Sequence, residues 1–240
     1  MEKMKSNVNV FDQDAKIYGG YQYTTSTRLS SKLVLQRSLD LILQIDQFKG
    51  RSILDIGCGD GFSTILFWDH SQCSSLIGVD AAPHAIEVAN ANKKDRPIQF
   101  IVGDAQNLPF PDNNFDLVLI QSMLHHVDDP LGTIREAFRL APEVLIHESN
   151  GNSLALKLRA RTGHYHREHN EKVFSTYKIN NWIKKSGGKV VYKKFANFVP
   201  TFCPNWLAKA MKRMEPLVEP LPLLNSQLCS MFVFLATRQK

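Results

Sequence analysis

The feature that most constrains the fold is a glycine-rich turn between an apolar run and a helical stretch. It reads ILDIGCGDGF over residues 53–62. Three glycines at alternate positions allow backbone conformations, and a close approach of a ligand, that side chains would obstruct. A strand followed by such a turn and a helix is typical of α/β domains, although the turn alone also suits a dinucleotide. The turn therefore predicts a ligand-binding strand-to-helix junction.

After Gly50 short apolar runs alternate with helical stretches. The predicted strands cover residues 52–56, 75–79, 98–102, 115–121 and 143–147, and the predicted helices between them cover 61–69, 83–92 and 130–140. The apolar runs are continuous, as expected for strands covered on both faces, and the helices supply the crossovers of a parallel, doubly wound sheet. Helices are also predicted at 30–45 and 176–185, and strands at 189–198 and 230–236. The fold class is α/β, with a mostly parallel seven-stranded sheet and helices on both faces.

Two acidic residues follow later strands of the predicted sheet. Asp80 ends the strand after the glycine turn, 19 residues beyond Gly61, and Asp104 follows the next strand. Because ligands bind at the carboxyl edge of such a sheet, these carboxylates are candidates for ribose hydroxyls and for an adenine amine. Each acid alone could instead cap the following helix. The dinucleotide pattern G-x-G-x-x-G would need its third glycine at Phe62, which disfavours a nicotinamide cofactor.

Three segments in a fixed order carry a family resemblance: DIGCGDG at 55–61, GVD at 78–80 and GDAQNLPFPDNNFDLVLIQSMLHHVDDP at 103–130. Together they resemble class I S-adenosylmethionine-dependent methyltransferases of the type-11 group. The resemblance covers roughly residues 50–150 and implies the Rossmann-like class I methyltransferase fold, with S-adenosylmethionine as cofactor.

The resemblance also implies cofactor-binding residues. The methionine end would be held by Asp55, Gly57, Cys58, Gly59 and Gly61, the ribose by Asp80 and Ala81, the adenine by Asp104 and Ala105, and Gln121 would lie beside the methyl donor. The family's N-terminal segment often folds over the cofactor, and the stretch from Phe11-Asp12 through Tyr18, Tyr21 and Tyr23 resembles such a lid. Surface aromatics of an ordinary N-terminal arm explain the same residues equally well.

The length predicts one domain with elaborations. A chain of 240 residues suits a single sizeable core, and 43% hydrophobic with 22% charged residues is ordinary globular usage. We divide it into an N-terminal helical arm and candidate cofactor lid (1–49), a cofactor-binding core (50–150), and a substrate-side insertion with C-terminal strands of the same domain (151–240). Without a signal peptide or a transmembrane segment, the expected location is cytoplasmic. Four scattered cysteines predict neither disulfides nor a zinc site.

His125 and His126 are the candidate catalytic bases. They follow the fourth strand, and imidazole titrates near neutral pH. A structural role in hydrogen bonding is the favoured alternative. The histidines His164, His166 and His169 match no structural zinc pattern, so no metal is predicted.

The C-terminal part is strongly basic. Residues 151–240 hold 16 basic and 4 acidic residues, whereas residues 1–150 hold 13 basic and 19 acidic. This imbalance, with Lys157, Arg159, Arg161 and Arg167 close together, predicts an anionic substrate or a solvated basic surface. A basic amphipathic helix is predicted, with Trp206, Leu207, Ala210, Met211 and Met214 on one face and an end at Pro216. Packing of that face onto the core is favoured over contact with a membrane or a lipid-linked substrate.

The leading function is therefore methyl transfer to a small-molecule acceptor, with an anionic or lipid-linked one among the candidates. A nucleic-acid methyltransferase is the second interpretation, encouraged by an isoelectric point near 9.1. It has weaker support, because QSML at 121–124 replaces the Asn/Asp-Pro-Pro-aromatic motif that resembles many base-amine methyltransferases. A non-catalytic adaptor that binds the cofactor is a third, and a nicotinamide oxidoreductase a remote fourth. The acceptor, the base and the oligomeric state stay open at this level.

Overall fold

The computed structural model describes residues 2–21, 24, 26–45, 48–154, 156–157, 172–201 and 203–239, with side chains from residue 8 onward. The described helices are α1 (Glu2–Tyr18), α2 (Leu29–Leu43), α3 (Phe62–Ser71), α4 (Pro83–Asn92), α5 (Pro130–Leu140), α6 (Thr176–Lys185), α7 (Asn205–Val218) and α8 (Pro222–Leu228). The strands are β1 (Ser52–Ile56), β2 (Ser75–Asp80), β3 (Gln99–Val102), β4 (Leu117–Gln121), β5 (Glu143–Ser149), β6 (Gly188–Ala196) and β7 (Met231–Arg238).

The strands form one seven-stranded sheet in the order β3-β2-β1-β4-β5-β7-β6. The pairings from β3 to β5 are all parallel, whereas β7 runs antiparallel between β5 and β6. The chain moves outward from β1 to β3 and then returns to place β4 on the other side of β1. That reversal is a topological switch point, where the loops after β1 and β4 diverge and leave a crevice at the carboxyl edge.

Each face of the sheet is covered by its own apolar cluster. Leu54, Ile56, Val118 and Ile120 contribute to one cluster, together with residues of α5 and α6. Their neighbours in the strands, including Ile53 and the leucines at 117 and 119, contribute to the opposite cluster with α2 and α3. Because the central strands are buried on both faces, their sequences are continuous apolar runs, which is the pattern that predicted them.

Helix starts follow the local sequence. Asp129 caps α5, since its carboxylate accepts a hydrogen bond of 2.9 Å from the Gly132 N–H, and Pro130 occupies the first turn, where no N–H is needed. Ser175 caps α6 by accepting from the Lys178 N–H at 3.3 Å. Helices α4, α5 and α6 occupy the predicted ranges, and every predicted strand is present with its ends shifted by no more than two residues.

Two predictions about the C-terminal helix are wrong. Helix α7 does not end at Pro216 but continues to Val218. A proline removes one backbone hydrogen bond, and here the helix tolerates that loss. The predicted packing of the apolar face onto the core is wrong for Trp206, which is 71% exposed, and for Met214, which is 51% exposed, whereas Leu207 and Met211 are half-buried. The inward residues are Ala208, Glu215 and Val218, since the Glu215 carboxylate pairs with Arg37 of α2 and turns that side of the helix inward.

None of the described helices is long and apolar enough to cross a membrane. The four cysteines are free thiols.

Candidate active site

A cavity of about 120 Å³ opens at the carboxyl edge of the sheet, at the switch point beside β1. The ends of β1, β2, β3 and β4 form its floor, and α1 with the segment after it closes one side. Its lining residues are Val8, Phe11, Tyr21, Gly57, Val79, Asp80, Ala81, Ala82, Gly103, Asp104, Ala105, Gln106, Gln121, Ser122, Met123, His126 and Val127. Of the ten residues predicted to bind a cofactor, Gly57, Asp80, Ala81, Asp104, Ala105 and Gln121 line this cavity.

The glycine turn forms one wall of the cavity by lying close against its neighbours. Gly57 has φ +80°, and a Cβ there would lie 2.3 Å from Met123 Cγ. Gly59 has φ +55°, and its Cβ would lie 2.4 Å from the Tyr21 ring. The N–H groups of Gly57 and Cys58 both donate to the Val79 carbonyl, at 2.7 and 3.1 Å, which fixes the turn against β2. Any side chain at these glycines would push apart the walls of the cavity.

Asp55 lies at the end of β1, with 1% of its surface exposed. Its Oδ2 accepts a hydrogen bond of 2.6 Å from the Thr64 hydroxyl and a longer one of 3.4 Å from the Gln121 amide. Its Oδ1 is buried with no hydrogen-bond partner. Burial raises the pKa of Asp55 to about 6, although the bonds from Thr64 and Gln121 lower it. This carboxylate is therefore poised for a cationic or hydrogen-bond-donating group.

Asp80 at the end of β2 organises the backbone around the cavity. Its Oδ2 accepts from the Gly59 N–H and its Oδ1 from the Ala82 N–H, both at 2.9 Å. Burial raises the pKa of Asp80, and these backbone bonds partly oppose the rise. Asp80 is not the cap of α4, because that position belongs to Ala82, without a side-chain bond. Each carboxylate oxygen keeps a free lone pair for a ligand.

Asp104 follows β3 and is exposed at the rim of the cavity. Its Oδ1 accepts from the Gln106 N–H at 3.0 Å, which holds the loop in a tight turn. The neighbouring Ala105 adds an apolar wall. An exposed acceptor beside an apolar surface suits a flat ring that carries an amino group.

The turn after β4 is strained where it meets the cavity. Ser122 has φ +50°, a conformation that is uncommon for residues other than glycine, and its N–H donates to the His147 carbonyl at 2.8 Å. The strain directs the Gln121 and Met123 side chains toward the glycine turn, one through the contact with Asp55 and the other through the contact with Gly57. Backbone strain of this kind is found at functional sites. The apolar residues of this turn gave no signal in the sequence beyond the family resemblance.

The two candidate bases occupy different environments. The Nδ1 of His125 lies 2.7 Å from the Glu148 carboxylate, which also accepts from the Leu124 N–H at 2.7 Å. Burial raises the pKa of Glu148, but the charge and hydrogen bond of His125, together with the N–H donors of Leu124 and Ser149, bring the pKa below its ordinary value. His125 is therefore part of a buried pair, while His126 lines the cavity. Sequence reasoning missed Glu148, because the pairing joins two separate strand ends.

The N-terminal segment lies against the site through Phe11 and Tyr21. The Phe11 ring packs edge-on against His126 with 4.6 Å between centroids, and 5.2 Å from the Tyr21 ring. The Tyr21 N–H donates to Asp60 at 2.8 Å, and the Thr24 hydroxyl donates to the same carboxylate at 2.5 Å. Asp60 in the glycine turn thus anchors the segment. Tyr18 is 51% exposed, and Tyr23 lies outside the described residues.

The remaining predicted residues lie elsewhere. Cys58, Gly59 and Gly61 belong to the turn behind the lining, and burial raises the pKa of the Cys58 thiol well above its ordinary value, which leaves it unreactive. Gly61 begins α3 at φ +75° and packs on Ala89.

The predicted cluster of histidines and most of the basic stretch fall on residues whose positions are not described. These are His164, His166, His169, Arg159, Arg161 and Arg167, all within residues 158–171. In the described part of the chain no group of three or more His, Cys, Asp or Glu residues is placed to hold a metal ion.

The amino-acid sequence is similar to those of known proteins. A methyltransferase-domain family model, of the type-11 group, matches residues 54–143. A demethylmenaquinone methyltransferase of Thermotoga maritima is 26% identical over 225 residues, covering 90% of this chain and 91% of that protein. A norajmaline N-methyltransferase of Rauvolfia serpentina is 33% identical over 128 residues, covering 49% of this chain and 44% of that protein. The matched segments span 28% to 44% of the length of the first four relatives.

The fold is shared with solved structures. A Thermotoga maritima protein described as a possible histamine N-methyltransferase superposes with a TM-score of 0.69 at 17% identity, covering 96% of this chain and 99% of that one. This likeness confirms the predicted Rossmann-like fold with its mostly parallel seven-stranded sheet, in which the structure shows β7 to be antiparallel.

Proposed function

We propose that this chain, whose residues 54–143 form a class I S-adenosylmethionine-dependent methyltransferase domain, transfers the methyl group of that cofactor to a small-molecule acceptor. One observation carries the proposal. The glycine turn and the carboxylates at the ends of β2 and β3 converge on one cavity at the switch point of the sheet, and the buried Asp55 of the adjacent β1 is joined to the cavity wall by its hydrogen bond from Gln121. That arrangement fits an adenosyl group attached to a charged amino acid.

The adenosine half has suitable partners. Asp80 accepts hydrogen bonds from the two ribose hydroxyls through the lone pairs left by its backbone donors. A hydrogen bond from a ribose hydroxyl to Asp80 is favourable, because a donor lowers the raised pKa of this buried carboxyl and stabilises its ionised form. Asp104 accepts from the adenine amine, while Ala105 and Val79 cover the ring faces.

The methionine half lies toward Asp55 and Gln121. The unpartnered Oδ1 of Asp55 gains a charged donor from the ammonium of the methionine, directly or through a water. The Gln121 side chain lines the cavity and donates to Asp55, so it couples the cavity wall to that carboxylate. Because the glycines carry no side chains, the sulfonium can lie against the backbone of the turn.

The bound cofactor supplies a methyl group already activated for displacement. The chain's task is to align the acceptor behind that methyl and to exclude water, which the Phe11 and Tyr21 rings do on the N-terminal side. We assign to His126 the removal of the acceptor proton, since its ring lines the cavity. His125, held by Glu148, fixes the backbone that carries His126.

The acceptor class rests on the relatives. Their names describe enzymes that act on a menaquinone precursor and on an alkaloid, both small organic molecules. The cavity walls are largely apolar, with residues such as Val8, Val127 and Met123, which suits a ring-containing acceptor. We therefore propose an apolar or lipid-linked small molecule rather than a polynucleotide.

The test is methyl transfer from isotopically labelled cofactor. The purified chain is offered a prenylated hydroquinone, an indole alkaloid and bulk RNA, and labelled product is counted for each. Label in a small molecule and its loss in Asp80→Asn support the proposal. Label in RNA alone overturns the acceptor class, whereas cofactor binding without transfer to any extract of small metabolites overturns catalysis in favour of an adaptor.

A further inference from the structure

Helices α7 and α8 expose an apolar surface that the proposed methyl transfer does not use. Half of the exposed large hydrophobic residues of the described chain fall within residues 206–224. We call this the α7–α8 surface and define it by Trp206 (71% exposed), Met214 (51%), Leu217 (71%), Leu221 (47%), Leu223 (84%) and Leu224 (48%). A concentration of exposed apolar side chains is a candidate interaction site.

The surface is a continuous stripe on α7. Trp206, Ala210, Arg213 and Leu217 follow one another at intervals of three or four residues, so they share one face of the helix, and all of them are exposed. The opposite face packs inward through Ala208, Glu215 and Val218. The solvent-facing side of α7 therefore carries large apolar residues, whereas the solvent-facing side of an ordinary surface helix is polar.

The orientation of the stripe is fixed by buried polar bonds. Arg37 of α2 pairs with both Glu215 and Glu219. Glu219 also accepts from the Asn197 N–H at 3.0 Å. Breaking a buried charge pair of this kind is costly, so α7 cannot easily rotate to hide its apolar face. The stripe is held outward by the fold.

The charges of the α7–α8 surface indicate which kind of partner it binds. Lys209 and Arg213 are exposed beside the apolar residues. Within residues 205–228 the sequence has two acids, Glu215 and Glu219, and these are 4% and 6% exposed. The exposed face of this segment is therefore apolar and cationic, because its two acidic residues are buried. This combination matches the boundary of a membrane that contains anionic lipids, where an indole ring such as that of Trp206 is also favoured.

A second copy of this chain fits the surface less well. A symmetric dimer joins the same patch on both subunits, so the cationic patch of Lys209 and Arg213 would be brought against the same patch of the second copy. Like charges brought together in an interface are repulsive. An anionic lipid surface instead pairs these cations with phosphates.

One end of α8 lies at the same edge of the sheet as the proposed active site. Asn150, which directly follows β5, donates through its side-chain amide to the carbonyls of Ser226 and Cys229, at 2.9 and 2.8 Å. These bonds hold the end of α8 at the carboxyl edge of the sheet, the edge at which Gln121 of the neighbouring β4 lines the cavity.

We propose that the α7–α8 surface docks the protein on an anionic membrane, with Trp206 and the leucines inserted at the lipid interface and Lys209 and Arg213 on the phosphates. The binding does not require methyl transfer, and its test stands apart from that of the catalytic function.

The experiment is sedimentation of the purified full chain with vesicles of phosphatidylcholine, with or without phosphatidylglycerol. We expect binding to the anionic vesicles, with a blue shift of tryptophan fluorescence that the Trp206→Phe variant removes. Lys209→Glu with Arg213→Glu should lower the partition coefficient roughly 30-fold or more, from the loss of two cations at the surface. Leu217→Gln with Leu223→Gln should lower it at least about tenfold.

Matched control variants distinguish binding through this surface from nonspecific binding of the protein to vesicles. Lys184→Glu with Lys185→Glu makes the same change of net charge at exposed positions of α6, and Tyr177→Gln removes an exposed apolar side chain elsewhere. Both controls should bind vesicles as the wild type does, and circular dichroism should show all variants folded.

Three results would overturn the proposal: no partition into anionic vesicles, equal losses in the α6 control, or a dimer in sedimentation that the Leu217 and Leu223 changes dissociate while vesicle binding is absent. The last result would assign the surface to a second copy.

Discussion

Replacing the buried Asp55 by asparagine should make the protein more stable while it weakens cofactor binding. In the absence of ligand, burial raises the pKa of Asp55 from 3.8 to about 6. The ionised carboxylate is thus disfavoured in the folded state, and the cost at pH 7.5 is about 3 kcal/mol, since one pKa unit corresponds to about 1.4 kcal/mol. Asparagine keeps an acceptor for the Thr64 hydroxyl and carries no charge.

The pH dependence gives the prediction its sign. A raised carboxyl pKa means that the folded state holds its proton more tightly than the unfolded state, so the wild type gains stability as the pH falls from above 6 toward 4. The advantage of Asp55→Asn should therefore shrink from about 3 kcal/mol at pH 7.5 to about 1.5 kcal/mol at pH 5. Urea denaturation of the ligand-free proteins at both values measures this difference.

Asp116→Asn is the matched control. The N–H and the hydroxyl of Ser52 lower the pKa of Asp116. A lowered pKa stabilises the fold at pH values above the unfolded pKa of 3.8, so this variant should lose stability, and the loss should be nearly the same at pH 5 and pH 7.5 because both lie above that pKa. If the difference between Asp55→Asn and the wild type were the same at pH 5 and 7.5, the carboxylate would not be a strained anion, and its proposed role toward a methionine ammonium would lose its basis.

Three further predictions concern the turn and the histidines. Gly57→Ala should weaken S-adenosylhomocysteine binding at least about tenfold in calorimetry, because a Cβ would clash with Met123. The control is Gly187→Ala, a position with φ +78° where a Cβ would meet nothing within 4 Å. This control should cost only about 1 kcal/mol of stability and leave the affinity unchanged. Glu148→Gln should lower the free energy of unfolding by about 3–5 kcal/mol at pH 5 and above, and the loss should shrink only as the pH falls below the ordinary carboxyl pKa of 4.5 and Glu148 becomes protonated; a loss as large at pH 3 as at pH 7 would contradict the pairing with His125. His126→Asn should lower kcat about 10²–10⁴-fold with cofactor affinity retained, and an unchanged kcat would remove His126 as the base.

The strands were predictable from the sequence because the signals for them lie within short segments of the chain. Continuous apolar runs such as LVLIQ at 117–121 can only be buried on both faces, and a glycine turn after the first run selects the strand-to-helix junction. Because Asp55, Asp80 and Asp104 each lie at or directly after the end of a predicted strand, they could be assigned to one edge of the sheet in the same way. Parallel strands end at one edge whatever the detailed packing, so the site could be assembled without coordinates.

What the sequence did not reveal depends on long-range contacts. The pairing of His125 with Glu148 joins residues 23 positions apart across two strands, and the contact of Asp60 with Tyr21 spans 39 positions. The orientation of α7 was mispredicted for the same reason. Its apolar residues suggested an inward face, but the buried partner of Arg37 turned the opposite side of the helix to the core.

The central claim is that the glycine turn and the carboxylates at the strand ends bind an adenosyl amino acid. Isothermal titration of the purified chain with S-adenosylhomocysteine tests it most directly. We expect saturable binding at one site per chain, weakened at least about tenfold by Asp80→Asn because the ribose hydroxyls lose a charged acceptor. An absence of binding at millimolar ligand, or an affinity that Asp80→Asn leaves unchanged, would contradict the claim.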